Sequence, residues 1–348
     1  MPSTVSTSSR ITTRLFHSPI TLLAAQPSLL KEYQEELNIL VPHMAIACAR
    51  EINGTLGRDN LWITCSSGVE DGVPDFILSC AEDSRGNKLP IFIATPRSVT
   101  LTENADYLLP RLQALIQALV AEVNTARVFS VFAQALITRA FAQLWTEKTG
   151  IACEPDPYYS ATYARCTRKT FRNRQFTVLG DTTYELRLAA EKDLEPLTDL
   201  GYDFALTSPP FEITREQALE EMRSLIAQKR IWVHTINRPG AQEEIASLVA
   251  VTRETVNVSA ITKVYTNPRW RGKRCAERLV RHVTKILLSK PNKESVVLYV
   301  GHNNPARKVY QRVGFTGPGG EALCDDPTNA GHWLEIGFDR TRVELGLW

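Results

Sequence analysis

Val264 to Phe315, VYTNPRWRGKRCAERLVRHVTKILLSKPNKESVVLYVGHNNPARKVYQRVGF, decides how the rest of the chain is read. It contains in order a strand end, a basic loop with one glycine, a long amphipathic stretch, an apolar run and a short segment closed by Gly314-Phe315. Ala276, Leu279, Val280, Val283, Ile286 and Leu287 recur at three- and four-residue intervals, which predicts a helix with one apolar stripe. Lys290-Pro291-Asn292 stops it, and Val296 to Val300 reads as a strand covered on both faces. Asn304 can cap a second helix whose first turn accommodates Pro305. Because the loop Arg271-Gly272-Lys273-Arg274-Cys275-Ala276 opens into the first helix, its N–H groups and the positive helix end face whatever anion sits there. The expected ligand is phosphorylated.

Two motifs in this stretch, V-x-T-x-P-x-x-R-G-K at Val264–Lys273 and N-x-x-A-x-x-V-Y-x-x-x-G-F at Asn303–Phe315, resemble those of the GNAT acetyltransferase superfamily in type, order and separation. The resemblance implies an α+β fold with a mixed, largely antiparallel central sheet flanked by helices. It implies acetyl-CoA as co-substrate, held by the main chain of Val264, Tyr265 and Thr266, by the loop from Arg271 through Gly272, Lys273, Arg274 and Cys275 to Ala276, and by Asn303. Tyr310 matches the motif tyrosine near the CoA sulfur, where a phenol can donate the proton that the departing thiolate needs. The family usually carries glycine where this chain has Arg274. Glycine there lets the backbone approach a pyrophosphate closely, whereas an arginine can reach a phosphate with its side chain.

Direct acyl transfer to an amine requires a proton acceptor, since a free amine has a pKa of roughly 10. His302, just beyond the second strand, is the leading candidate base; His234, Glu212 and Glu335 are others. No nucleophile elbow and no assembled triad is present in the sequence. The acceptor is expected to be the primary amine of a small molecule or metabolite. A protein or peptide lysine or N-terminus is the alternative, and a CoA-binding sensor or scaffold without turnover is the alternative outside the enzyme class.

The 348 residues, 43% hydrophobic and 22% charged, suit two globular domains rather than one. A net charge of +2 gives no global argument for nucleic acid or a membrane surface, and no apolar run reaches membrane-spanning length. The seven cysteines are odd in number, scattered and without a C-x-x-C pair, so neither a disulfide framework nor a metal site is expected. That usage fits a reducing, cytoplasmic setting. Cys275, next to Lys273 and Arg274 at a helix N-terminus, is expected to be a small residue packed beneath the loop, the alternative being a reactive thiol whose pKa those cations lower.

Residues 1–26, rich in Ser and Thr, read as a disordered tail, with a mitochondrial transit peptide as the alternative. Residues 27–175 read as an α+β lobe: a helical face from Leu29 towards Gly54, strands at Asn60–Cys65, Asp75–Ala81 and Pro90–Thr95, and helices over 109–120 and 132–144, the second ended by Gly150. Phe141–Trp145, Thr149-Gly150 and Tyr163–Arg165 resemble the degenerate N-terminal lobe of two-part GNAT proteins, without an Arg-x-x-Gly loop of its own. Arg165 to Arg174 reads as a basic connector or edge strand. Residues 176–348 read as the catalytic domain, with Thr214 and Gln217 forming a capping box. The resemblance implies that Phe204, Phe211 and Tyr202 lie on the acceptor side, and Trp333–Phe338 is expected to close the sheet beside the strand ending at Val300. Oligomeric state is not legible.

Overall fold

Two apolar runs, SVFAQ at 130–134 and SVVLYVG at 295–301, are buried along most of their length, as strands inside a sheet must be. Each lies inside the sheet of its own compact unit in the computed structural model, which describes residues 11–68, 72–174, 183–323 and 331–347. One unit comprises Met1–Pro157 with Trp333–Trp348, the other Tyr158–His332.

In chain order the first unit holds β1 (Thr12–Phe16), α1 (Pro19–Ala25), α2 (Ser28–Lys31), α3 (Val41–Ile52), β2 (Leu61–Ser66), β3 (Phe76–Cys80), β4 (Ile91–Ala94), α4 (Val99–Thr102), α5 (Ala105–Glu122), β5 (Ser130–Gln134) and α6 (Ala135–Thr149). The second holds β6 (Tyr159–Thr167), β7 (Thr183–Leu188), α7 (Leu194–Ala205), α8 (Arg215–Ala227), β8 (Ile231–Asn237), β9 (Glu244–Glu254), β10 (Val258–Thr266), α9 (Cys275–Ser289), β11 (Ser295–Gly301) and α10 (Ala306–Val313). The last strand, β12 (His332–Gly337), returns to the first unit.

The two sheets share one plan. The first runs β1-β2-β3-β4-β5-β12 and the second β7-β8-β9-β10-β11-β6. Every pair is antiparallel except β4 with β5 and β10 with β11. A parallel pair needs a crossover, supplied by α5 and α9 respectively. The expected mixed, largely antiparallel α+β architecture is therefore present in both halves.

In the second unit, Leu197, Leu200, Met222 and Leu225 of α7 and α8 pack on Ile231, Val233, Leu248 and Ala250. The opposite face carries α9 and α10, with Leu279, Val280, Val283, Leu287, Tyr310 and Val313 packed on Val249, Val251, Val296 and Leu298. Thr214 and Gln217 form the expected capping box, with reciprocal bonds of 3.2 and 2.8 Å.

Four expectations are corrected. Trp333–Phe338 does not close the sheet beside β11; β12 pairs with β5, Glu335 opposite Phe132. The strand beside β11 is β6, from Ser295 opposite Thr167 to Gly301 opposite Ala161. The division therefore falls near Tyr158 and His332, not at 175/176; of the two readings of Arg165–Arg174, connector or edge strand, the strand holds as far as Thr167. Its arginines concealed that Ala164 and Cys166 enter the core beneath α9. Residues 12–25 are β1 and α1 rather than a tail: β1 pairs with β2, and Ser18 caps α1 by accepting from Thr21 N at 3.1 Å. Ser and Thr there serve an edge strand and a helix cap. The tail expectation for residues 1–10, and any role of Cys324, lie outside the described residues. Finally, Phe132 sits in β5 and not in the following helix, which begins at Ala135 and ends as expected at left-handed Gly150, φ 70°.

Candidate acyl-transfer site

The site begins where β10 and β11 part. Their parallel ladder covers only Val258–Ala260 against Ser295–Val297. Beyond it β10 follows β9 to Thr266 while β11 follows β6 to Gly301. Irregularities in the β9–β10 register around Ile261 and Lys263 accompany the divergence. Main-chain groups of Val264, Tyr265 and Thr266 thus border a gap on the side away from β9.

Past Thr266 the chain makes a short 3-10 turn, Pro268–Trp270, capped by Asn267 accepting from Arg269 N at 3.1 Å. Arg271 folds back on the strand it left: Nε donates to Thr266 O at 3.3 Å and Nη2 lies 3.2 Å from the Tyr265 hydroxyl. Gly272 has φ 77°, and a Cβ built there meets nothing within 4 Å, so conformation and not crowding calls for glycine. Arg274, the expected departure, has φ 60° and ψ 23° and stands at the N-cap of α9. It occupies the left-handed region despite its side chain, which explains physically why glycine suits this position. Arg278 N donates to Arg274 O at 3.1 Å, so the N–H groups of Cys275, Ala276 and Glu277 precede the helix's own bonding ladder. Arg271, Lys273 and Arg274 are exposed. The helix dipole and three cations therefore favour an anion here.

Cys275 is buried beneath the loop, and burial pushes its thiol pKa up despite the opposing charges of Arg278 and Lys273. Cys275 is thus packed beneath the loop as expected, and desolvation outweighs the cations, which removes the alternative of a lowered thiol pKa.

Tyr310, on α10, is 7% exposed and packs against Phe315 with ring centroids 5.9 Å apart. Burial, with Tyr159 nearby, raises its phenol well above the ordinary value, so it holds its proton at neutral pH. Gly314 closes α10 at φ 113°, and a Cβ there would stand 2.1 Å from Thr170 O, which accounts for the glycine of the Gly-Phe pair. Asn304 accepts from Ala306 N at 2.9 Å, as expected of a cap, while Asn303 is an exposed turn residue at φ 64°.

His302 follows β11 directly. Its Nε2 is 3.4 Å from Thr162 Oγ1, and its ring lies 4.5 Å from that of His332, whose Nε2 is 3.1 Å from Ser160 Oγ. Burial lowers its pKa, opposed by a backbone bond with Ala161, which leaves a neutral imidazole at neutral pH. The sequence reading missed His332 because 30 residues separate it from His302. It also missed Arg253, buried on β9 opposite Ala260 with its guanidinium 5.3 Å from the Tyr299 ring. No short motif marks either residue. The other base candidates are not gathered with these: His234 lies under the loop on the α9 face, Glu212 is exposed in the loop before α8, and Glu335 belongs to the first unit, where Ser130 Oγ donates to it at 2.7 Å.

Phe204, at the end of α7, meets Tyr265 edge to face at 6.2 Å, and Lys263 Nζ lies 5.2 Å from its ring centroid. Among the described residues the first unit has no comparable loop. After β4, Arg97 turns inward to Asp75 at 3.1 Å, and Arg111 takes the other carboxylate oxygen at 2.9 Å. Its crossover is thus pinned by an internal ion cluster.

Fold and loop together place an exposed cationic helix N-terminus beside two diverging strands. Residues 202–315, all within the second unit, match the Acetyltransferase (GNAT) family. No curated protein sequence matches it. Among solved structures, a GCN5-related N-acetyltransferase from Sphaerobacter thermophilus aligns at TM-score 0.52 and 15% identity over 97% of this chain and 98% of that one. A GNAT-family acetyltransferase from Colwellia psychrerythraea aligns at 0.48 and 11% over 95% and 100%. A tandem GNAT protein from the clavulanic acid biosynthesis pathway aligns at 0.47 and 10% over 94% and 98%. The first of these likenesses shows the shared fold. No helix among the described residues is long and apolar enough to cross a membrane.

Proposed function

We propose that the protein is an acetyl-CoA-dependent N-acetyltransferase that passes an acetyl group directly to the primary amine of a small molecule. The observation that carries this reading is the gap between β10 and β11 leading to an exposed cationic loop at the head of α9. Unpaired strand edge, unbonded helix N–H groups and exposed cations fit a thioester-bearing pyrophosphate. Arg271, Gly272, Lys273, Arg274, Cys275 and Ala276 hold the pyrophosphate, Val264, Tyr265 and Thr266 the pantetheine arm, and Asn303 borders it.

Acetyl-CoA supplies a thioester already activated towards amines. The chain's own task is to present a neutral amine and manage two protons. Main-chain groups of Val264–Thr266 offer fixed dipoles where negative charge develops on the carbonyl oxygen. Tyr310, kept protonated by burial, donates to the departing thiolate, and neutral His302, steadied by Thr162 and His332, receives the amine proton. Phe204, packed on Tyr265, shapes the acceptor side.

The test is isothermal titration with acetyl-CoA, then thiol release across a panel of small amines and lysine peptides. Saturable binding with faster release over small amines supports the reading; preference for peptides moves the acceptor to protein. Binding without release on any amine assigns a CoA sensor, and absence of binding removes the mechanism. Phe204→Ala is expected to raise KM for the amine at least threefold more than KM for acetyl-CoA.

A further inference from the structure

Behind the loop lies a cavity of about 180 Å³ that the acyl-transfer reading does not use. Its walls come from four parts of the second unit: Tyr184 on β7, His234 on β8, Trp270 in the turn, and Lys273, Cys275 and Arg278 at the head of α9. Among the described residues no carboxylate lines it. The Arg278 guanidinium lies 5.2 Å from the Tyr184 ring centroid and donates to Lys273 O at 2.8 Å, and Lys273 Nζ lies 4.4 Å from the Trp270 ring. His234 is 1% exposed, stacked on Tyr184 at 5.1 Å, and neither of its ring nitrogens has a hydrogen-bond partner among the described residues.

A buried imidazole with both nitrogens unsatisfied is costly unless something fills the space before it. Here the space is bounded by two cationic side chains at a helix N-terminus, a setting that favours an oxyanion with several acceptor oxygens. The volume admits inorganic phosphate or a compact phosphate ester but not a nucleotide. We propose that this cavity is a second anion site, which takes a small phosphate between His234, Lys273 and Arg278. It is distinct from the outer face of the loop. His234 donates one N–H to the anion, and the stacked Tyr184 holds the ring in the orientation this requires. Because Trp270, Lys273 and Cys275 belong to the co-substrate loop and the turn before it, the loop itself forms one wall of the site.

The chain has six histidines, which suits a nitrogen-15 histidine-labelled sample of the full protein. His234→Phe, which keeps the ring stack, assigns the His234 resonances. Titration with inorganic phosphate at constant ionic strength is expected to shift them saturably in the millimolar range or below, with chloride giving no such shift. Ile236→Phe, which fills the cavity from β8, is expected to weaken that response at least tenfold. A phosphate response that is unsaturable, or undiminished in Ile236→Phe, overturns the proposal. So does a His234 shift produced by CoA but not by phosphate, which would make the occupant part of the co-substrate. The phosphate arm contains neither CoA nor amine, so its failure leaves the acetyl-transfer reading standing.

Discussion

Replacing Arg274 separates what its backbone does from what its side chain does. At φ 60° and ψ 23° a non-glycine residue loses about 1–2 kcal/mol relative to the right-handed region. Glycine relieves that strain but has more freedom to lose on folding, about 0.5–1 kcal/mol. Arg274→Gly should therefore stabilise the protein by about 0.5–1 kcal/mol, a rise of about 2 °C in Tm for a unit of this size. Arg274→Ala keeps the strain and should leave Tm within about 1 °C of the parent. CoA affinity responds differently. The guanidinium is exposed beside α9's unbonded N–H groups, and its contact with a phosphate is worth about 1 kcal/mol, so both variants should weaken CoA binding about fivefold. Thermal unfolding and isothermal titration on the three proteins read the two effects separately. A glycine variant that binds CoA more tightly than the parent would show that the side chain obstructs the pyrophosphate. One less stable than the alanine variant would refute the strain argument.

Three further outcomes follow from the same geometry. Tyr310→Phe should lower kcat about a hundredfold with KM for acetyl-CoA within twofold, because only the proton donor is lost; unchanged turnover in steady-state assays removes Tyr310 from the mechanism. Burial, helped by Arg278, lowers the His234 pKa from 6.5 to about 4, so the fold favours the neutral ring. Its contribution is complete above pH 6.5 and declines by about 3 kcal/mol as pH falls towards 4, and denaturant melts of His234→Phe should lack that part of the acid slope. In the first unit, burial pushes Asp75 up but its bonds with Arg111 and Ser67 prevail and hold it below the usual carboxylate range. It therefore stabilises the fold above that range and ceases to as pH falls. Asp75→Asn, which strands Arg97 and Arg111, should cost about 3 kcal/mol by denaturant titration, whereas a change under 1 kcal/mol would mean the cluster is replaceable.

The sequence by itself determined the features that depend on neighbours along the chain. The stripe of α9, the buried run of β11, the Asn304 cap and the glycine ends of α6 and α10 each follow from residues a few positions apart, and each stands where expected. Periodicity also made the alternation of helices and strands legible in both units. Partner choice was not legible, because an apolar strand announces that it is buried and not what buries it. Only the tertiary structure decided that β6 lies beside β11 and β12 beside β5, so that the first unit takes its last strand from beyond the second in sequence while the second closes on its own first strand. The same reason applies to the chemistry. Loop residues 271–276 are contiguous and could be read as a unit. The pairing of His302 with His332, the burial of Arg253 near Tyr299 and the unsatisfied ring of His234 arise from segments brought together only when the sheet closes.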